Sequence, residues 1–236
     1  MSSIEQLRDQ VAKIGNRMVR CSENCSGILH DQKQGILPRG LYLEEEGRTK
    51  GRGVIICGLN PGNADRKSME FYRPRSATYL TFCRFWSEQR LRDYPYFAKL
   101  RSLADALELG GPILWTNLAK CQNKSISEKL SIKIHPQTFR RCSARYLAEE
   151  LKHCPNDWPI LAAGRDAYNA LLYLCPTRTL IGVPHPTGPH ARTMFARMLI
   201  GKAELLPSLC QAAVRCLGQD SAEVLWLNPN DDDRSA

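Results

Sequence analysis

The sequence predicts an α/β fold: a three-layer α/β/α sandwich built on a short, mainly four-stranded parallel sheet. Three observations predict it. First, four apolar runs of strand length, VIICGLNPG (54–62), ILWTNLAKC (113–121), PILAAG (159–164) and TLIGVPHPTGPH (179–190), turn polar or Gly/Pro-rich at their carboxyl ends. Continuous apolar runs of this kind belong to strands buried on both faces. Second, segments of helical spacing separate these runs, and strands alternating with helices build a parallel sheet covered on both sides. Third, no internal repeat and no linker interrupts residues 1–236, so the chain reads as one domain with a polar tail from about residue 228.

The elements follow in order. Residues 4–20 place Ile4, Leu7, Val11, Ile14 and Met18 on one helical stripe. A Gly- and Pro-punctuated stretch to about residue 50 reads as a surface loop. After the first strand, residues 76–90 and 96–109 have helical spacing, with Tyr79, Phe82, Phe85 and Trp86 on the first of them. Gly110-Gly111-Pro112 stops the second helix ahead of the 113–121 strand. Residues 136–153 are helical after a proline start, 165–174 follow the third strand, and 191–200 and 204–217 close the pattern.

Composition narrows the function classes. Lys and Arg number 33 against 24 Asp and Glu, a net charge of +9 with a pI near 9.1. With 43% hydrophobic residues the chain is neither disordered nor fibrous. No apolar run reaches the roughly 18 residues of a membrane span. The first residues, MSSIEQLRDQVAKIGNRMV, lack the apolar core of a secretory signal, so a cytoplasmic protein away from membranes is expected. The basic surplus points to an anionic partner, of which nucleic acid is the common one. In a reducing compartment, clustered members of the ten cysteines read as metal or cluster ligands before disulfides.

Three strand ends carry unusual polar groups: Asn60 in GLNPG, Asn117 in WTNLAKC and His185 in VPHPTGPH. Singly, each is an ordinary turn or capping residue. Together they fall at the carboxyl edge of the predicted sheet, where open α/β sheets bind ligands.

In wording and order these segments resemble the uracil-DNA glycosylase superfamily. VIICGLNPGNAD looks like its first motif, in the Asn-Pro-Gly form of the mismatch-specific branch. ILWTNLAKC resembles a strand of the iron–sulfur, thermophile-type branch, LAAGRDAYNALL the superfamily's strand-Gly-helix element, and HPTGPHARTMFARML the superfamily's second active-site motif. The resemblance covers roughly residues 15–205. It implies a monofunctional DNA glycosylase that acts as a monomer, flips a uracil-like base out of DNA and hydrolyses its N-glycosidic bond.

The resemblance also implies roles. Asn60 would orient the attacking water, although an amide cannot ionise and is a poor general base. His185 would stabilise the charge on the departing base. Asn117 would read the base edge, backbone amides around Gly58 and Leu59 would hold a base oxygen, and Phe71 or Tyr72 would stack on the ring. Lys120, Lys124, Arg165, His190 and Arg192 would meet phosphates. Cys21, Cys25, Cys121 and Cys142 match the ligand positions of a structural [4Fe–4S] cluster, with zinc as the alternative. Two departures stand out: the first pair is Cys-x3-Cys where the branch has Cys-x2-Cys, and SISEKLSIKIHP lengthens the stretch before Cys142. Cys57, Cys83, Cys154, Cys175, Cys210 and Cys216 read as core residues. Gly62 and Asn63 stand where the fastest branch has a Tyr that excludes 5-substituted bases, so excision of a modified pyrimidine or another non-uracil base, for repair or for defence against foreign DNA, is the alternative activity. A non-catalytic nucleic-acid-binding protein of the same fold is the alternative of another class. A nucleotide-binding α/β protein is disfavoured, because no GxGxxG or GxxxxGK[ST] loop is present.

Overall fold

The first apolar stripe becomes helix α1 (Ser3–Val19), on which Leu7, Val11, Ile14 and Met18 are 2% exposed or less. The computed structural model describes residues 3–45, 51–124, 134–187, 189–200, 204–219 and 221–227. Beyond α1, the stretch expected as loop forms β1 (Ile28–Leu29) and β2 (Leu41–Glu44). Strand β3 (Val54–Gly58) ends where the apolar run meets Asn-Pro-Gly. Helix α2 (Arg66–Tyr72) is capped by Asp65, whose carboxylate accepts from Ser68 N at 2.8 Å. Helix α3 (Tyr79–Glu88) is capped in the same way by Thr78. Helix α4 (Pro95–Ala106) starts with a proline, and β4 (Ile113–Asn117) and β5 (Gln122–Asn123) follow.

The 136–153 helix forms as α5 (Pro136–Cys142), one π-helical turn over Ser143–Leu147, and α6 (Ala148–His153). Next come β6 (Ile160–Ala163), α7 (Arg165–Leu174), β7 (Leu180–Val183) and α8 (Pro189–Arg197). The chain continues through β8 (Leu199–Ile200), β9 (Glu204–Leu205), α9 (Pro207–Leu217) and β10 (Val224–Trp226).

The fold is α/β, with a sheet of six strands in the order β10-β7-β6-β3-β4-β2. That is two more than the sequence predicts. The additional strands, β2 and β10, stand at the ends of the order. Neither is a continuous buried run: β2 alternates buried Leu41 and Leu43 with half-buried Tyr42 and Glu44, and β10 begins at Val224, which is 58% exposed. Small antiparallel pairs join β1 to β5 and β8 to β9.

The chain divides into two compact units, each assembled from three segments. The first comprises Met1–Leu43, Asn60–Leu91 and Thr116–Cys154. Its core joins α1 to α3 and α6, and Tyr42 stacks on Trp86 with ring centroids 4.2 Å apart. A buried ion pair lies inside it: Lys120 Nζ is 2.8 Å from both carboxylate oxygens of Glu150 and donates to Thr116 Oγ1 at 2.7 Å.

The second unit comprises Glu44–Leu59, Arg92–Trp115 and Pro155–Ala236. Parallel pairing runs through β3, β6, β7 and β10, with Ile55 opposite Ile160, Leu161 opposite Ile181 and Ile181 opposite Leu225. β3, β6 and β7 are buried throughout, as their apolar sequences require. Helix α7 packs on β6 and β7, and α9 on β10. Arg101 pairs with Glu44, and Trp115 Nε1 donates to the same carboxylate at 2.9 Å. Among the described residues, no helix is long and apolar enough to cross a membrane.

Candidate functional site

In the second unit, parallel pairing brings three strand ends to one edge. β3 finishes at Gly58, β6 is followed by Gly164, and β7 is followed by Pro184 and His185. Gly164 has φ +100°, and a Cβ there would sit 3.6 Å from His185 Cβ and 3.7 Å from its Cδ2. His185 therefore lies across the end of β6 in ordinary van der Waals range, and it is the left-handed φ that calls for glycine there. Lys99 on α4 donates from Nζ to Pro186 O at 2.9 Å and ties down the loop that carries the imidazole. Thr187 N donates to His185 Nδ1 at 3.4 Å, and the Thr187 hydroxyl lies at the same distance from that nitrogen. Burial holds His185 below the ordinary imidazole value.

Tyr96 packs against this histidine, its ring centroid 5.3 Å away at 42°. Burial pushes the Tyr96 phenol up, and the Cys57 thiol adds to the shift. The sequence drew no attention to Tyr96: on α4 it is one more aromatic at helical spacing. Arg165, at the start of α7, is exposed, with its guanidinium 3.8 Å from the Trp226 ring centroid. His190 and Arg192 lie on α8, and their side chains fall outside the described residues.

In the first unit, Asn60 is half-buried and held through its amide nitrogen. Nδ2 donates to Asn123 Oδ1 at 2.9 Å and to Pro61 O at 3.0 Å, bonds that do not use Oδ1. The loop after it is pinned from β5: Gln122 Oε1 accepts from Ala64 N at 2.7 Å and from Arg39 Nη2 at 3.2 Å, and Arg39 also donates to the Gly62 carbonyl. Burial lowers the Arg39 pKa, against the partial compensation of Tyr72 and Asp65. Arg39 stands in a stretch the sequence shows only as loop, so its part in holding the Asn-Pro-Gly turn was not legible. Asn117 is half-buried against Gly40, where a Cβ would come within 2.2 Å of Asn117 Nδ2 at a backbone φ of +96°.

Burial bears on several of the expected roles. Tyr72 is 2% exposed, packed against Phe85 and Phe71, and is a core residue with no open ring face for a base. Phe71 is half-buried, but Arg75 lies 4.0 Å over its ring. Lys120 is 1% exposed and ion-paired to Glu150, so it does not reach a phosphate. Lys124 is exposed, with its backbone N donating to Gly27 O at 2.9 Å.

Also in the first unit, Cys21, Cys25, Cys121 and Cys142 line one cavity. Burial raises the Cys121 thiol, and the nearby Cys142, Cys21 and Cys25 raise it further. Burial likewise raises Cys142, against the opposing pull of Lys120. Lys120 N donates to Cys142 Sγ at 3.3 Å. The loop between the first two cysteines is clamped to the helix bearing Cys142: Arg145 donates to Glu23, and Arg141 Nη1 lies 3.8 Å from the same carboxylate. The stretch before Cys142 lies, over 125–133, outside the described residues. Among the described residues, no group of three or more His, Cys, Asp or Glu side chains is set to hold a metal ion.

Compared with known proteins, the chain has no match among family models, curated proteins or solved structures.

Proposed function

We propose that this chain is a monofunctional DNA glycosylase of three-layer α/β/α architecture that excises a uracil-like pyrimidine. One observation carries the proposal: Gly58–Leu59 at the end of β3 and His185 beyond β7 belong to one edge of parallel strands, and the Thr187 amide donates to Nδ1 of the histidine, which suits a neutral ring protonated on Nε2. Asn60 is the next residue in the chain after Leu59.

The chemistry divides among these groups. His185 Nε2–H donates to a base oxygen and binds it more tightly as negative charge develops, which lowers the barrier rather than merely binding substrate. Asn60 uses its nitrogen for Asn123 and Pro61, and its Oδ1 accepts from a water and aims it at the sugar carbon. Asn117 pairs donor and acceptor with the edge of a uracil-like ring. Gly40 leaves that amide its place. A methyl there forces the amide away, and misplacement of about 1 Å costs on the order of 100-fold in kcat/KM. Gly40→Ala is therefore expected to lower base release by up to that factor without loss of the metal centre, as read by single-turnover kinetics and metal analysis.

The cysteine set fits a metal centre by its chemistry: four thiols line one cavity that Lys120, Arg141 and Arg145 also line. Four thiolates are the usual ligand set of a four-iron cluster, which we take as the cofactor, with zinc as the alternative. Cys21, Cys25, Cys121 and Cys142 would hold it. Its contribution is to tie α1, the β4–β5 region and α5 together, and no step of base release passes through it.

Gly62 favours a wider choice of base. A Cβ there would meet nothing within 4 Å, so open space adjoins the first motif. Duplex oligonucleotides carrying one uracil, thymine or 5-hydroxymethyluracil test both readings. The expected result is an abasic site from uracil and from the 5-substituted bases. Cleavage of uracil alone would remove the wider specificity, and binding of every duplex without base release would leave a non-catalytic DNA-binding protein.

A further inference from the structure

One helix face lines the cysteine cavity: Thr138, Arg141, Cys142, Arg145 and Tyr146 recur along it at helical spacing. The π-helical turn over Ser143–Leu147 lies within this face, and such turns recur at functional sites. Tyr146 is 2% exposed, and its hydroxyl is buried with no hydrogen bond of ordinary geometry. Leaving a phenol O–H in that state is costly. Its surroundings supply one chemistry that removes the cost. The Cys21 thiol lines the same cavity and acts on the phenol as a hydrogen-bonding neighbour, and Arg145 lies 5.6 Å from the ring centroid. A neutral thiol is a weak acceptor; a metal-bound thiolate is a strong one.

We infer that Tyr146 is a positioning residue for the cluster, donating its hydroxyl hydrogen to the Cys21 thiolate and tuning the cluster's potential and retention. This inference rests on the iron–sulfur reading of the four cysteines. A hydrogen bond to a cluster sulfur stabilises the more negative, reduced state and so raises the reduction potential. Outer-shell donors of this kind typically carry about 10- to 100-fold in metal retention. Lys120 N, bonded to Cys142 Sγ, supplies a second donor of backbone origin, which side-chain substitution does not remove.

The test compares wild type with Tyr146→Phe, both purified without oxygen. Iron and sulfide per chain, the midpoint potential, and the rate at which absorbance near 400 nm is lost in air are measured. The expected result is equal iron and sulfide, a more negative midpoint potential in the variant, and loss in air about tenfold faster. Equal potentials and equal loss rates would overturn the assignment while leaving the cluster in place. A variant that fails to fold, by circular dichroism, overturns it as well, because it would show the hydroxyl holding up the fold instead. Wild-type protein that contains zinc, or no metal, overturns the cofactor reading and this inference with it.

Discussion

His185→Ala is expected to slow base release by about 10²–10³-fold, the usual cost of removing one preorganised donor from a developing oxyanion. DNA affinity should change little, because phosphate contacts supply most of it. Asn60→Ala should fall in the same range and for a different reason: the water loses its acceptor while Asn123 and Pro61 each lose one part-buried bond. Single-turnover rates at saturating enzyme separate these effects from binding. Unchanged rates in both variants would refute the roles.

The pH profile carries a further sign. His185 is held below the ordinary imidazole value of about 6.5, so the ring is neutral at pH 7 and its proton on Nε2 is available to donate. Any acid limb due to this residue therefore begins below pH 6.5. In stability terms the unfolded chain takes up the proton first. The contribution of His185 is constant above about 6.5 and falls as the pH drops from there towards the folded value.

The largest expected loss of stability is at Glu150. Glu150→Ala leaves the Lys120 ammonium buried with only Thr116 for company, and breaking such a pair costs about 3–5 kcal/mol. For a chain of this length each kcal/mol moves the melting temperature by about 2–4 °C, so a fall of roughly 6–20 °C is expected by calorimetry. Replacing the second charge as well, in Glu150→Leu with Lys120→Met, should recover most of it, because a buried pair gains little over apolar groups of similar volume. A single variant that melts with wild type would show that the ammonium finds water.

Much of the fold was legible where one physical signal dominates. Buried strands β3, β6 and β7 announce themselves as unbroken apolar runs, and α1 and α7 as stripes. Strands β2 and β10 were hidden for the opposite reason. The four residues of β2 sit among charges and alternate in burial, and β10 has only three residues, none fully buried. Helix α2 is seven residues long and too short to show a period, although Asp65 three residues before Ser68 is its capping signal.

The candidate site divides in the same way. Chemistry-bearing residues at strand ends are visible because the strands are. What a side chain packs against is not. MEFYRP offers two rings, and only the tertiary packing on Phe85 shows that Tyr72 belongs to the core. In ILWTNLAKC, Lys120 looks like a surface cation until Glu150, thirty positions away in the chain, is found against it. Tyr96, Arg39 and Tyr146 carry no motif. Each acquires its part from neighbours distant in sequence: His185, Gln122 and Cys21.

The most direct measurement of the central claim names no base in advance. DNA containing cytosine, thymine, uracil and 5-substituted pyrimidines is incubated with the purified protein, and the small molecules released are identified by mass spectrometry while abasic sites are counted in the polymer. A free pyrimidine base appearing in equal number with abasic sites, and absent with the His185→Ala and Asn60→Ala variants, is the predicted result. DNA that is bound and returned with every base in place would contradict it.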